Sequence, residues 1–140
     1  APANHATFGM PSYQAVREGA DVAILALGGF FSLGEQVAEA LAPHGVQATL
    51  VNPRFATELD EDFLSTLPER HRVVVTLEDG VLEGGWGEKV ARFLATTDVR
   101  TRCYGIPRNF YDRFDPQELL ASCGITVEGI ANDTLKLLRA

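Results

Sequence analysis

Residues 73–87 read VVVTLEDGVLEGGWG. Residues 73–77 are apolar apart from one threonine and do not alternate with polar residues, which is typical of a strand covered on both faces in a parallel sheet. Glu78 and Asp79 follow at the carboxyl end of this strand, where open α/β sheets place their ligand crevices and domain contacts. Glycine allows other atoms to approach the backbone closely, so the loop that follows predicts a close contact. Its glycines are Gly80, Gly84, Gly85 and Gly87.

Beyond the loop, apolar side chains recur with the spacing of an amphipathic helix, at Val90, Phe93 and Leu94. Glu78 and Asp79 are neighbours on a strand, so their side chains diverge and are poorly placed to act as a cooperating acid and base. We therefore expect one of them to accept hydrogen bonds from backbone amides of the glycine loop. Trp86 is flanked by glycines and is hard to bury within its own loop, so we expect it to pack against a neighbouring element or domain.

The chain has 140 residues, of which 46% are hydrophobic and 22% charged, the size and composition of one globular domain with a sizeable core. Its formal net charge of -7 argues against a nucleic-acid partner or an anionic membrane surface, because both recruit basic patches. The sequence contains neither the long apolar run of a membrane span nor the pattern of a signal peptide. We therefore expect a cytoplasmic protein.

The elements along the chain alternate between strands and helices. Residues 1–12 are rich in turn-forming residues and are predicted to be a linker or arm before one domain at 13–140. From local sequence alone, the first two strands are predicted to form a hairpin around Gly19. The five predicted strands lie at 13–16, 22–27, 47–51, 73–77 and 99–104.

Helix starts are indicated by capping residues. Ser32, with Glu35 three residues later, has the pattern of a capping box. Asp60 begins an acidic turn that favours the start of a short helix. Residues 115–118 combine a cap, a first-turn proline and an acid, and they predict a helix that Gly124 ends. A last helix is expected from about residue 127.

Sequence motifs typical of phosphate-binding or hydrolase sites are absent. A glycine pair at 28–29 before a helix suggests a phosphate site, but the G-x-G-x-x-G and P-loop patterns are absent. A hydrolase has no support, because no G-x-S-x-G occurs. We therefore assign no catalytic, cofactor-binding or metal-binding residue to this chain.

The histidines and cysteines are also predicted to have no chemical role. The three histidines have no second ligand at metal spacing and are predicted to lie on the surface. The two cysteines fit neither a disulfide scaffold nor a zinc site and are predicted to be buried free thiols. These residues are His5, His44, His71, Cys103 and Cys123.

Three blocks of the sequence carry a family resemblance. They are ILALGGFFSLGEQVAEALAPHGVQATLVNPRFATELDEDFL, VVVTLEDGVLEGGWGEKVARFL and YGIPRNFYDRFDPQELLASCGIT. Together they resemble the patterns VNPRF-x-KPLDE, T-x-EEG-x-x-x-GGFG and GIPD-x-F of the carboxyl-terminal domain of the transketolase family. Within that family they are most similar to the 1-deoxy-D-xylulose-5-phosphate synthases. The order and spacing of all three blocks match, over about residues 12–140.

The resemblance implies an α/β fold in three α/β/α layers around a five-stranded mixed, mostly parallel sheet. It implies that the first strand lies antiparallel beside the strand at 47–51. This arrangement contradicts the hairpin predicted from local sequence, and we adopt it as the expectation. The resemblance also implies that thiamine diphosphate and magnesium are bound by two preceding domains that are absent from these 140 residues, and not by this domain.

In the family, the synthase joins pyruvate and glyceraldehyde 3-phosphate with loss of carbon dioxide to give 1-deoxyxylulose 5-phosphate for isoprenoid and cofactor synthesis. The resemblance implies that this chain is a structural and dimer-forming domain of such a transferase, inactive alone and part of a homodimer. The candidate residues for domain or dimer contacts are Asn52, Arg54, Phe55, Glu78, Asp79, Gly84, Gly85, Trp86 and Gly87.

The chain also departs from the family pattern. Thr57 and Glu58 replace Lys-Pro, and Arg108 replaces Asp, so the ionic contacts at these positions are altered. Asp79 replaces a glutamate, and Trp86 replaces a phenylalanine. Two other interpretations stay open. The chain could be the equivalent domain of a divergent transketolase or of a 2-oxo-acid dehydrogenase β subunit, or an independent ligand-binding or regulatory module that uses the strand-end crevice.

Overall fold

The computed structural model describes residues 13–54, 58–108 and 116–140. The predicted arm at 1–12 lies outside these ranges, as do Phe55 and Thr57. Five strands form one sheet in the order β1-β3-β2-β4-β5. The strands are β1 (Gln14–Arg17), β2 (Asp21–Ala26), β3 (Thr49–Asn52), β4 (His71–Val81) and β5 (Arg100–Ile106). The helices are α1 (Phe31–Leu41), α2 (Glu61–Thr66), α3 (Trp86–Leu94), α4 (Pro116–Ser122) and α5 (Val127–Arg139).

The sheet is mixed because β1 alone runs against its neighbour. Gln14 pairs with Asn52 in an antiparallel ladder between β1 and β3, whereas β2, β3, β4 and β5 are parallel. The hairpin predicted between the first two strands is therefore wrong, and the arrangement implied by the family resemblance is confirmed. The backbone explains the difference, because Ala20 N–H donates to Gln47 O and binds the turn after β1 to the chain before β3. A Cβ at Gly19 would lie 1.7 Å from Gln47 O, so only glycine fits this crossing.

Helices cover both faces of the sheet and bury two layers of apolar side chains. Alternate residues of the central strands β2 and β4 face opposite layers, as the period of a strand requires. The helices α1 and α5 cover one face, and α2 and α3 cover the other. The first layer includes Val22, Ile24, Val37, Leu41, Val73, Val75 and Ile130. The second includes Ala23, Leu25, Leu64, Val74, Trp86, Val90 and Leu94.

The structure confirms the predicted helix start at Asp60, shows a further cap at Thr126 and corrects the prediction at Ser32. Asp60 caps α2 by accepting from Phe63 N–H. Thr126 caps α5 in the same way. The capping box at Ser32 is wrong, since α1 begins at Phe31 and Ser32 lies inside the helix. A 3-10 turn at Gly28–Phe30 leads directly into α1, so the helical path begins before the serine. No helix in the described ranges is long and apolar enough to cross a membrane.

His71 corrects the prediction of surface histidines. It is only 8% exposed, whereas His44 is exposed as predicted and His5 lies outside the described residues. The Nδ1 atom of His71 lies 2.9 Å from Leu67 O, and Nε2 lies 2.7 Å from Thr49 Oγ1. Because a carbonyl can only accept, Nδ1 carries a proton, and in the neutral imidazole Nε2 accepts from the threonine hydroxyl. Thr49 Oγ1 in turn accepts from Gly19 N–H, so one polar chain joins the β1–β2 turn, β3 and β4.

The substitution Thr49→Val keeps the shape of this buried side chain and removes its hydroxyl. We expect the free energy of unfolding to fall by about 1–3 kcal/mol, because Gly19 N–H and His71 Nε2 lose their partner. Urea unfolding followed by the fluorescence of Trp86 measures the loss. Thr134→Val is the matched control, because the Thr134 hydroxyl is also buried and, among the described residues, donates to Ile130 O of its own helix. Equal losses of unfolding free energy in the two variants would show that the hydrogen bonds from Thr49 to Gly19 and His71 do not stabilise the fold.

Candidate functional site

Glu78 joins the end of β4 to the start of α3. The strand runs to Val81, so both acids lie inside it and not after it. Glu78 is 3% exposed, and its Oε1 and Oε2 accept from Trp86 N–H at 3.2 Å and Gly87 N–H at 2.7 Å. This confirms the expected carboxylate bound to amides of the glycine loop. Burial raises the pKa of Glu78, and the two amide hydrogen bonds lower it by less.

The glycines of the loop bring the first turn of α3 against β4. A Cβ at Gly85 would lie 2.2 Å from Val81 O, and one at Gly87 would lie 2.5 Å from Thr76 Oγ1. A side chain at Gly85 would collide with the backbone of β4, and one at Gly87 would collide with the side chains of Thr76 and Glu78. The close contact predicted from the glycine-rich sequence is therefore a contact between this loop and its own strand.

Asp79 points away from Glu78, as expected for neighbours on a strand. Its Oδ2 accepts from Gly29 N–H at 3.0 Å, in the turn that begins α1. Glu88 acts similarly on the glycine loop, where its Oε1 accepts from Gly84 N–H at 2.7 Å. A phosphate at either turn would meet a carboxylate of the chain itself. These amide groups therefore do not form an anion-binding site.

Trp86 packs against the start of β1. Its side chain is 3% exposed, and Nε1 donates to the hydroxyl of Tyr13 at 3.0 Å. The Tyr13 hydroxyl donates to Glu58 O at 3.4 Å, and Tyr13 N–H donates to the Asp60 carboxylate at 2.9 Å. The expectation that Trp86 contacts a neighbouring element is confirmed. Sequence reasoning missed Tyr13, although an aromatic residue opening a strand was a visible signal.

Asn52 is the last residue of β3, and Arg54 lies two residues beyond it, beside the turn before α1. Asn52 Oδ1 accepts from Arg54 N–H at 3.1 Å. Both residues line an open cleft of about 540 Å³, together with Leu27, Gly28 and Phe31. Phe55, the remaining predicted contact residue after this strand, lies outside the described residues.

Two of the departures from the family pattern make local contacts. Arg108 N–H donates to Glu83 Oε1 at 2.9 Å, and its guanidinium donates to Glu83 O at 3.1 Å. The Asp79 bond to Gly29 is the second such contact. The first contact fixes the glycine loop to the chain after β5, and the second fixes β4 to the turn before α1. The pairing of Glu83 with Arg108 was not predicted, because the two residues are distant in sequence.

Cys103 is a half-buried thiol that donates to Gly87 O at 3.2 Å. Burial raises its pKa, so the thiol stays protonated at neutral pH. Cys123 is half-buried as well, so the free thiols are less buried than predicted. Among the described residues, no group of three or more His, Cys, Asp or Glu side chains is arranged to hold a metal ion.

Comparison with known proteins gives a consistent set of similarities. The family model described as "Transketolase, C-terminal domain" matches residues 12–130. The 1-deoxy-D-xylulose-5-phosphate synthase of Pelotomaculum thermopropionicum is 36% identical over 126 residues, which are 88% of this chain and 20% of that protein. The synthase of Synechococcus sp. (strain JA-2-3B'a(2-13)) is 40% identical over 120 residues, 84% of this chain and 18% of that protein. The chain thus spans about a fifth of these curated relatives.

Solved structures agree on the fold. A split gene transketolase, described as an inactive β4 tetramer, superposes with a TM-score of 0.81 at 27% identity. The superposition covers 91% of this chain and 42% of that one. The R525L mutant of the Pichia stipitis transketolase gives a TM-score of 0.63 at 20% identity, over 92% of this chain and 18% of that one, and shows the fold alone.

The substitution Glu78→Gln tests the carboxylate bridge. A glutamine offers one acceptor oxygen and turns its NH₂ group toward one of the two amide donors, so one hydrogen bond is lost inside the protein. We expect the free energy of unfolding at pH 7 to fall by about 1–3 kcal/mol in urea titrations. Glu88→Gln, on an exposed carboxylate of α3 that bonds to the same loop, is the control and should change the free energy of unfolding by less than about 0.5 kcal/mol.

The difference in stability between the wild type and Glu78→Gln is predicted to depend on pH. Because the pKa of Glu78 is raised in the folded state, the folded protein holds a proton that the unfolded chain releases between the two pKa values. Wild-type stability from this group is therefore complete below the unfolded pKa and falls as pH rises through the folded pKa. Glutamine does not titrate, so the gap between wild type and Glu78→Gln should narrow over that range. A gap that widens with pH would contradict the raised pKa.

Tyr13→Phe tests the bond between the start of β1 and Trp86. The variant leaves the buried indole N–H without its partner, which we expect to lower the free energy of unfolding by about 1–3 kcal/mol. Trp86 is the single tryptophan of the sequence, so its fluorescence reports the unfolding midpoint directly. Tyr104→Phe is the control, because the Tyr104 hydroxyl bonds to the partly exposed Asp133. Unchanged midpoints in Tyr13→Phe would contradict a structural role for the bond.

Proposed function

The chain belongs to the transketolase carboxyl-terminal domain family, and on that premise we propose that it is the structural and dimer-forming domain of a thiamine-diphosphate-dependent transferase. The transferase that it resembles is 1-deoxy-D-xylulose-5-phosphate synthase. In that reaction pyruvate and glyceraldehyde 3-phosphate give 1-deoxyxylulose 5-phosphate and carbon dioxide. The domain itself supplies no catalytic residue, and two preceding domains of the same polypeptide carry the chemistry.

One observation carries the proposal. Because β1 is antiparallel to β3, Gln14 lies opposite Asn52, at the carboxyl end of the parallel strands. The chain therefore arrives at the sheet end that also carries Arg54 and the glycine loop. A preceding domain would join at this end and could cover it directly. Open α/β sheets commonly use the carboxyl ends of their strands for such contacts.

The chemistry of this end suits a protein contact. Val81 is 44% exposed although it is a large apolar residue, and Leu82, which follows it, is only half-buried. Leu27 and Phe31, which line the cleft beside Arg54, are half-buried as well. Exposed apolar side chains near charged ones are typical of an interface core with a polar rim. Asn52, Arg54, Asp79 and Gly84 remain the predicted contact residues. The buried Glu78, Trp86 and Gly87 would act by fixing the shape of the loop.

The glycine turns do not offer a site for the diphosphate of thiamine diphosphate. A diphosphate at a helix start needs free amide donors, and here carboxylates of the chain occupy the amides of Gly29, Gly84 and Gly87. Magnesium needs a cluster of oxygen ligands, and none is arranged among the described residues. We therefore assign both groups to the preceding domains, and no catalytic step is derived for this chain.

A chimera tests the proposed function. This chain would replace the corresponding carboxyl-terminal fifth of the Pelotomaculum thermopropionicum synthase. We expect sedimentation to show a dimer. The chimera should form 1-deoxyxylulose 5-phosphate with a kcat/KM within about tenfold of the parent enzyme. This corresponds to a loss of no more than about 1.4 kcal/mol in transition-state stabilisation.

The parent synthase cut before this domain is the control, and we expect it to be inactive. Calorimetry on the isolated chain should detect no binding of thiamine diphosphate with magnesium. A folded chimera no more active than the truncated synthase would contradict the proposal and favour an independent binding module. Micromolar binding of the cofactor to the isolated chain would show that the cofactor site has been assigned to the wrong domain.

A further inference from the structure

We infer that Arg54 binds a carboxylate side chain of the domain that precedes this one, and that this ion pair orients the two domains. The inference rests on the proposed function, because it names the partner group at the same end of the sheet. It is carried by the backbone conformation of Arg54, by the cleft in front of it and by the charges around it.

The backbone holds Arg54 in a conformation that side chains rarely adopt. Its φ angle is 67°, in the left-handed region, where a residue other than glycine is strained by about 1–3 kcal/mol. Asn52 Oδ1 holds this conformation by accepting from Arg54 N–H. Asp21, at φ 72°, has the same strain, but its N–H bonds to Arg70 O and its carboxylate lies near Arg72. At Arg54 the backbone N–H is likewise bonded, to Asn52, but the side chain makes no ion pair among the described residues.

The cleft beside Arg54 combines apolar walls with donor groups. It has a volume of about 540 Å³ and is lined by Leu27, Gly28, Phe31, Asn52 and Arg54. Because Asn52 Oδ1 is already bonded to Arg54 N–H, the remaining polar end of its side chain is the NH₂ donor. Guanidinium and amide donors above apolar walls suit an acceptor with an aliphatic stem. An aspartate or glutamate side chain has this form.

Among the described residues, Arg54 makes no ion pair with the acids at this end of the sheet, because those acids are bonded elsewhere. Arg108 is bound to Glu83. The acids Asp79 and Glu88 are bound to backbone amides of Gly29 and Gly84. An exposed guanidinium beside a cleft therefore faces outward with its donors unused. Arginine binds carboxylates through two parallel hydrogen bonds, which fix orientation as well as position.

The direction of β1 identifies the source of the carboxylate. Gln14 pairs with Asn52, two residues before Arg54, so the chain enters the domain beside the cleft. A preceding domain is thus the protein surface closest in sequence to this position. A free small anion or a second copy of this domain would have to compete with a partner that is covalently attached at the same end.

The chimera with the Pelotomaculum thermopropionicum synthase tests the inference through Arg54→Glu. Because the ion pair orients the dimer-forming domain, its loss should weaken the dimer, and we expect a dissociation constant at least about 30-fold higher in sedimentation at 50 mM salt, about 2 kcal/mol at 1.4 kcal/mol per tenfold change. The difference should shrink at 500 mM salt, where charges are screened. Arg70→Glu makes the same charge change on an exposed residue at the opposite end of the sheet and should change the constant less than about threefold.

Two further variants separate charge from folding and identify the partner. Arg54→Gly suits the left-handed backbone, so the domain should remain folded while docking is weakened. Arg54→Lys keeps the charge, and a carbodiimide should join its amine to the facing carboxylate through an amide bond. Peptide mass mapping then locates that carboxylate, which we expect in the preceding domain.

The outcomes separate the inference from the proposed function. If the unsubstituted chimera is active and Arg54→Glu dissociates like Arg70→Glu, the inference is wrong and the proposed function stands. A cross-link to a second copy of this domain, or none at all in an active chimera, also overturns the inference. If the unsubstituted chimera fails to assemble, the proposed function is wrong and the inference falls with it.

Discussion

The two hydrogen bonds from the amides of Trp86 and Gly87 to Glu78 are the constraint on which the carboxyl end of this sheet depends. A carboxylate that is 3% exposed must be bonded on both oxygens, because a buried acceptor without a donor destabilises the fold. The donors must come from the first turn of α3, and this turn can reach β4 only if Gly85 and Gly87 lack side chains. One acid on a strand therefore accounts for the glycines of the loop and for the start of the next helix.

The same constraint extends to the first strand of the domain. Fixing the first residue of α3 places the Trp86 indole against Tyr13, and Tyr13 is bound in turn to Glu58 and Asp60. The start of β1, the start of α2 and the glycine loop are thus held by one set of contacts. A force applied where the chain enters β1 would act on the whole carboxyl end of the sheet. This suits a domain that is attached to its neighbours at that end.

The sequence predicted those features that depend on local pattern. The apolar run of β4 identified the central strand, and the adjacency of Glu78 and Asp79 was enough to predict that their side chains diverge. The position of β1 could not be predicted locally, because its partner β3 lies more than thirty residues further along the chain. The burial of His71 depends on Thr49 and Leu67, which a list of metal-ligand spacings does not consider. The capping box at Ser32 failed because Asp79, fifty residues away, binds the turn that begins the helix.

The glycine-rich turns of this domain show why a motif alone does not define a ligand site. A turn with free amides at the start of a helix attracts anions, and the turns before α1 and α3 have the backbone for it. In this chain three carboxylates already bind those amides, so negative charge is supplied from within. What the carboxyl end leaves unsatisfied is different in kind: an exposed valine at Val81 and a strained arginine, Arg54, that has no ionic partner among the described residues. The exposed apolar side chain favours a protein surface, and the arginine favours an acidic group on that surface. The end of the sheet that usually holds a cofactor in open α/β folds is, in this domain, better suited to hold another domain.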